Sequence, residues 1–189
     1  MRGDRRVGAL FAVAMFLSIA PVGMSSAGAA AGPLCSSFTG AATLTPGLPI
    51  LGSTQRVKPT VSITGARLSG CHASATSGTV SAKLKFAQST NCTLLVSQIG
   101  RNVAVNARGT LKVTWNNKMT STIALTMSFG SIPNKGSLAT MSGEVTAGLY
   151  KGMKQSWIVL WTMRLPDECF GGAPLTSVTF SQFAPVTTK

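Results

Sequence analysis

The stretch GTLKVTWNNKMTSTIALTMSF, Gly109 to Phe129, decides the fold class. Leu111, Val113 and Trp115 alternate with Thr110, Lys112 and Thr114, and then Ile123, Leu125, Met127 and Phe129 alternate with Ala124, Thr126 and Ser128. Successive side chains of a strand point to opposite faces, so a period of two gives one buried face and one wet face. Asn116-Asn117 lies between the two runs, and Asn tolerates the positive φ that hairpin turns demand. The spacing predicts one antiparallel hairpin over 109–129.

The same period extends in both directions. Val80, Ala82, Leu84 and Phe86 alternate with Ser81, Lys83 and Lys85, and Val103 and Val105 lead into Gly109. Val57, Val61 and Ile63 predict another strand, which Pro59 confines to an edge or a bulge because proline lacks the ladder N–H. Thr39 to Leu44, Leu138 to Tyr150 and Leu175 to Phe183 add three more, and Trp157 to Leu165 is apolar on both faces. Only Cys92 to Ile99 has helical spacing, through Leu94, Leu95, Gln98 and Ile99. Clusters of Gly, Pro, Ser and Asn separate these runs. The expectation is an all-β, single-domain antiparallel β-barrel or β-sandwich of about eight or nine strands; both architectures use this alternation.

Arg2, Arg5 and Arg6 precede an apolar run from Val7 to Val22, followed by small residues from Ser25 to Ala31. A basic segment, an apolar segment and small residues in that order predict a secretory signal peptide over 1–31, leaving one domain over 32–189. The apolar run is short for a membrane span, which needs about 20 residues, and Ser18 and Pro21 interrupt it. No second run of spanning length follows, so no transmembrane segment is expected after cleavage. Export to the cell envelope or beyond means an oxidising compartment. Cys35, Cys71, Cys92 and Cys169 therefore read as two disulfides. Four cysteines allow three pairings. Cys71–Cys92, close in sequence, with Cys35–Cys169, near the two ends of the domain, is the preferred one; the others stay open.

The chain carries 17 Lys and Arg against 4 Asp and Glu, a formal charge of +13. Beyond position 31 the acids are Glu144, Asp167 and Glu168. Such a surface attracts polyanions, among them anionic envelope polymers. The cations are scattered from Arg56 to Lys189, with no run longer than a pair at alternate positions such as Lys83 and Lys85. A solvated basic surface that keeps a secreted domain soluble fits that spread at least as well as a dedicated anion site. No nucleic-acid motif or aromatic-interleaved basic stripe accompanies it, so no specific nucleic-acid partner is expected.

Candidates for catalysis are few. His72 is the single histidine, beside Cys71 and without a Gly-x-Ser-x-Gly elbow. With the cysteines oxidised, one histidine and three acids make a poor zinc set. Asp167 and Glu168 are adjacent, which on a strand would send them to opposite faces, and Glu144 is distant in sequence. Asn91-Cys92-Thr93 matches a glycosylation sequon that a disulfide at Cys92 would hinder. No catalytic residue, cofactor or metal site is expected, and a hydrolase is the remote reading. Trp157 and Trp161, four apart on one strand face and followed by Met163, would line either the core or a pocket for a small apolar envelope molecule. The alternative function is a structural, surface-associated cationic protein that adheres to anionic envelope polymers. Oligomeric state is not legible.

Leu68-Ser69-Gly70-Cys71, Gly109 to Asn116 and Gly143-Glu144-Val145-Thr146-Ala147-Gly148-Leu149-Tyr150-Lys151-Gly152 resemble small secreted β-rich proteins of actinobacteria with a signal peptide and a comparable cysteine arrangement. That resemblance implies an exported protein of uncharacterised function and transfers no site residue. Against that group this chain is unusually cationic.

Overall fold

The computed structural model describes residues 35–72, 74–100, 105–132, 136–161 and 169–184, leaving aside the side chains at 99–100, 130–132, 136–138, 155, 157–161 and 182–184. The expected signal peptide lies outside these residues. In chain order the elements are β1 (Cys35–Leu48), β2 (Thr60–Cys71), β3 (Ser77–Phe86), α1 (Cys92–Gly100), β4 (Val105–Trp115), β5 (Thr120–Ile132), β6 (Gly136–Gly148), β7 (Lys154–Trp161) and β8 (Leu175–Ala184). The all-β, antiparallel, disulfide-linked expectation is borne out, and the segment with helical spacing is α1. Each strand pairs antiparallel with the next. β8 also pairs with β1, so the order of pairing returns on itself.

The period of two does what it predicts. Val80, Ala82, Leu84 and Phe86 are buried, as are Leu111, Val113 and Trp115 on β4 and Ile123, Leu125, Met127 and Phe129 on β5. The 109–129 hairpin forms, with β4 and β5 joined by a tight turn in which the Lys118 N–H donates to the Trp115 carbonyl at 2.9 Å. The positive φ falls on Lys118 (67°) and not on either Asn. A turn of two right-handed residues followed by a left-handed third puts the unusual torsion at its last position.

β2 breaks the period by one residue. Ile63 pairs with Ala82 and Ala66 with Val80, three residues on β2 against two on β3. Gly65, at φ +69°, sits in the extra residue. A bulge of this kind needs a left-handed position that glycine adopts without penalty. Its consequence is a change of face: Val61 and Ile63 are buried, but beyond the bulge the buried set becomes Ala66 and Leu68, and Arg67 turns outward. Pro59 precedes β2 and serves through its carbonyl, which accepts the Phe86 N–H at 3.1 Å.

The preferred cysteine pairing is corrected. The disulfides are Cys35–Cys71 and Cys92–Cys169. Cys71 and Cys92 flank the ten residues of β3, which separate the two ends of the sheet by about 30 Å. A strand between two cysteines forbids the bridge that a short loop would favour. β1 and β2 instead bring Cys35 and Cys71 together as register partners. No cysteine is free, and two such bridges fit an oxidising, extracytoplasmic environment. Among the described residues no helix is long and apolar enough to cross a membrane.

α1 closes the Cys92–Cys169 end of the core. Asn91 caps it, its Oδ1 accepting the Leu94 N–H at 2.9 Å while its Nδ2 donates to the carbonyls of Ser53 and Gln55 at 2.8 and 3.0 Å. Leu95 is buried beneath it, near the stacked rings of Phe86 and Phe129, 5.4 Å apart. The void there, lined by Leu44, Leu48, Phe86, Leu95, Phe129 and Leu175 among others, is about 10 Å³, room for no more than about one water. At the Cys35–Cys71 end a polar and aromatic lid takes over. Tyr150 stands edge-on to Trp115 at 5.4 Å, and its hydroxyl accepts the Ala75 N–H at 3.1 Å. The Trp115 Nε1–H donates to Ser121 Oγ at 2.8 Å.

Candidate anion-binding face

Burying one side of β3 and β4 fixes what stands on the other. On β3 the outward positions are Ser81, Lys83 and Lys85; on β4 they are Arg108, Thr110, Lys112 and Thr114, all exposed. Register then decides which of them meet. Lys85 lies directly opposite Arg108, Lys83 opposite Thr110, and Ser81 opposite Lys112. Direct cross-strand partners have Cβ atoms about 5 Å apart and diagonal ones about 7–8 Å. Lys83 is therefore diagonal to both Arg108 and Lys112, and two positions along β3 from Lys85. Four cations occupy one small patch around the Thr110 hydroxyl.

The neighbouring ladders add hydroxyls and no acid. Thr60 and Ser62 of β2 oppose Lys85 and Lys83. Thr126 and Thr122 of β5 oppose Arg108 and Lys112. Lys58, exposed, lies two residues before Thr60. Like charges directly opposite each other weaken a sheet, so the Lys85–Arg108 register works against folding. An anion laid on this face would relieve that repulsion and release its own counterions.

The other residues singled out from sequence are not assembled there. Glu144 is exposed on β6, with Lys154 as its partner across the β6–β7 ladder. Asp167 and Glu168 lie outside the described residues. His72 is exposed beside the Cys35–Cys71 bridge. No group of three or more His, Cys, Asp or Glu comes together among the described residues. Trp157 and Trp161 take register positions on β7 opposite Met141 and Ser137; their side chains, and all of Met163, lie outside the described residues. Asn91, read as a sequon, is buried and committed to capping α1.

The Lys83–Lys85–Arg108–Lys112 patch went unassembled in the sequence because its two halves are more than twenty residues apart. The signal was present in the pattern: both strands alternate with the cations in the polar phase. What pattern alone lacks is register, and a slip of two residues would put Lys85 opposite Asn106 or Thr110 instead of Arg108. Compared with known proteins, the chain matches no family model, no curated relative and no solved structure.

Proposed function

We propose that this protein is an exported, non-enzymatic, eight-stranded β-barrel whose β3–β4 face holds it on anionic polymers of the cell envelope. The observation that carries this reading is the opposition of Lys85 and Arg108 within a four-cation patch that no cross-strand acid offsets. The cyclic order of pairing and the small size of the void among the described core residues support a barrel that works from its outer surface. The void lined by Leu44, Leu48, Phe86, Leu95 and their neighbours, about 10 Å³, is too small for an apolar ligand.

Polyanion binding by cation clusters proceeds largely by counterion release, so affinity falls linearly with salt on logarithmic axes, by a slope set by how many anionic groups the protein neutralises. The test is retention on immobilised dextran sulfate across a salt series, with neutral dextran as control. The protein is expected to bind at low salt and elute steeply. Replacing Lys83, Lys85, Arg108 and Lys112 together by Gln is expected to flatten the slope by about three, taking roughly 0.7–0.9 for each cation removed. An unchanged slope in that variant would sink the proposal.

A further inference from the structure

A second feature of the outer surface lies toward the Cys35–Cys71 end of the same strands. Thr39, Arg67, Thr79 and Thr114 are successive register partners across β1, β2, β3 and β4. They form one row about 14 Å long, taking a strand spacing of about 4.8 Å. Ser69 and Ser77, partners of each other, stand in the next outward row. These six residues line an open groove of about 580 Å³, within the range of small-ligand sites of roughly 300–1,000 Å³. Among the described residues no carboxylate lines it.

We propose that this groove binds an anionic sugar unit, with Arg67 taking the acid group and the flanking Thr and Ser hydroxyls taking the sugar hydroxyls. Arg67 offers a planar fork of donors that meets a carboxylate or phosphate by two parallel hydrogen bonds. Hydroxyls both donate and accept, so a row of them suits a ligand that is itself a row of hydroxyls. Arg67 faces the groove because the bulge at Gly65 reverses the face of β2; strict alternation from Val61 would carry it into the core. Bulges commonly re-aim a side chain beside a site. The inference deepens the reading above: the lysine-rich patch supplies attraction, and the groove supplies recognition of one unit of the polymer.

Calorimetric titration of the disulfide-intact protein with trigalacturonate, glucose 1-phosphate and neutral maltotriose tests it. Saturable binding of at least one acidic probe and none of maltotriose is expected, and the probe that binds separates a uronate from a sugar phosphate. Arg67→Gln is expected to abolish this binding, and Arg67→Lys to weaken it tenfold or more, because lysine keeps the charge and loses the fork. Both substitutions are at an exposed position, and an unchanged melting temperature verifies the fold. Binding of neither acidic probe, equal binding of maltotriose, or undiminished binding by Arg67→Gln would each overturn the inference. Retention of Arg67→Gln on dextran sulfate is expected to stay within twofold of wild type; a collapse there would mean Arg67 is only part of the general charge. The four-cation variant reads the opposite way, losing dextran sulfate and keeping the sugar, so each proposal fails on its own measurement.

Discussion

The β3–β4 pair and the β5–β6 pair are built alike inside and differently outside. Val80, Leu84, Leu111 and Val113 fill one part of the core, and Ile123, Leu125, Met141 and Val145 fill another. Outside, the first pair carries Lys83, Lys85, Arg108 and Lys112, while the second carries Thr122, Ala124, Thr126, Thr140, Ser142 and Glu144. Folding requires the inner sets and leaves the outer ones free. An outer face that sets Lys85 against Arg108 is therefore not explained by the fold, whereas the Ser and Thr of β5–β6 are what an ordinary β-surface carries.

The largest effects are expected where the two pairs agree. Leu84→Ala and Leu125→Ala should each destabilise the protein by about 2–5 kcal/mol, measured by chemical denaturation, because each opens a cavity under a buried side chain. A marked inequality between them would show that the two inner faces are not equivalent. A smaller effect concerns place against charge. Moving the four cations to the other pair, by adding Thr122→Lys, Ala124→Lys, Thr126→Lys and Ser142→Lys to the four-Gln variant, restores the net charge. Dextran sulfate retention is expected to remain several-fold below wild type; full recovery would make net charge, and not the β3–β4 arrangement, the determinant. The smallest effect has the most telling sign. Lys85→Gln should stabilise the fold by roughly 0.2–1 kcal/mol at low salt while weakening polyanion binding. The gain should vanish at high salt, where the repulsion is screened. A loss of stability at low salt would show that Lys85 and Arg108 do not repel in the folded state.

The two ends of the core differ in how much of them the sequence disclosed. Helical spacing in Cys92–Ile99 foretold α1, and an Asn placed just before an apolar run is a helix-cap signal that the sequon match obscured. The lid at the other end was not legible. Tyr150 meets Trp115, Ser74 and Ala75 across 35 to 76 residues of chain, through a backbone turn that puts Tyr150 itself at φ 65°. Alternation placed Trp115 with Leu111 and Val113, and it is a buried core residue whose indole N–H is satisfied, but its meeting with Tyr150 was not foreseeable.

By itself the sequence determined the strand-rich fold, the inward and outward sets of β3, β4 and β5, the single helical segment and the presence of two disulfides, because alternation and cysteine chemistry are local properties of the chain. Tertiary structure decided which cysteines meet, which cations face one another and which way Arg67 points. Those depend on register and on one extra residue at Gly65, and a shift of one residue reverses every side chain beyond it.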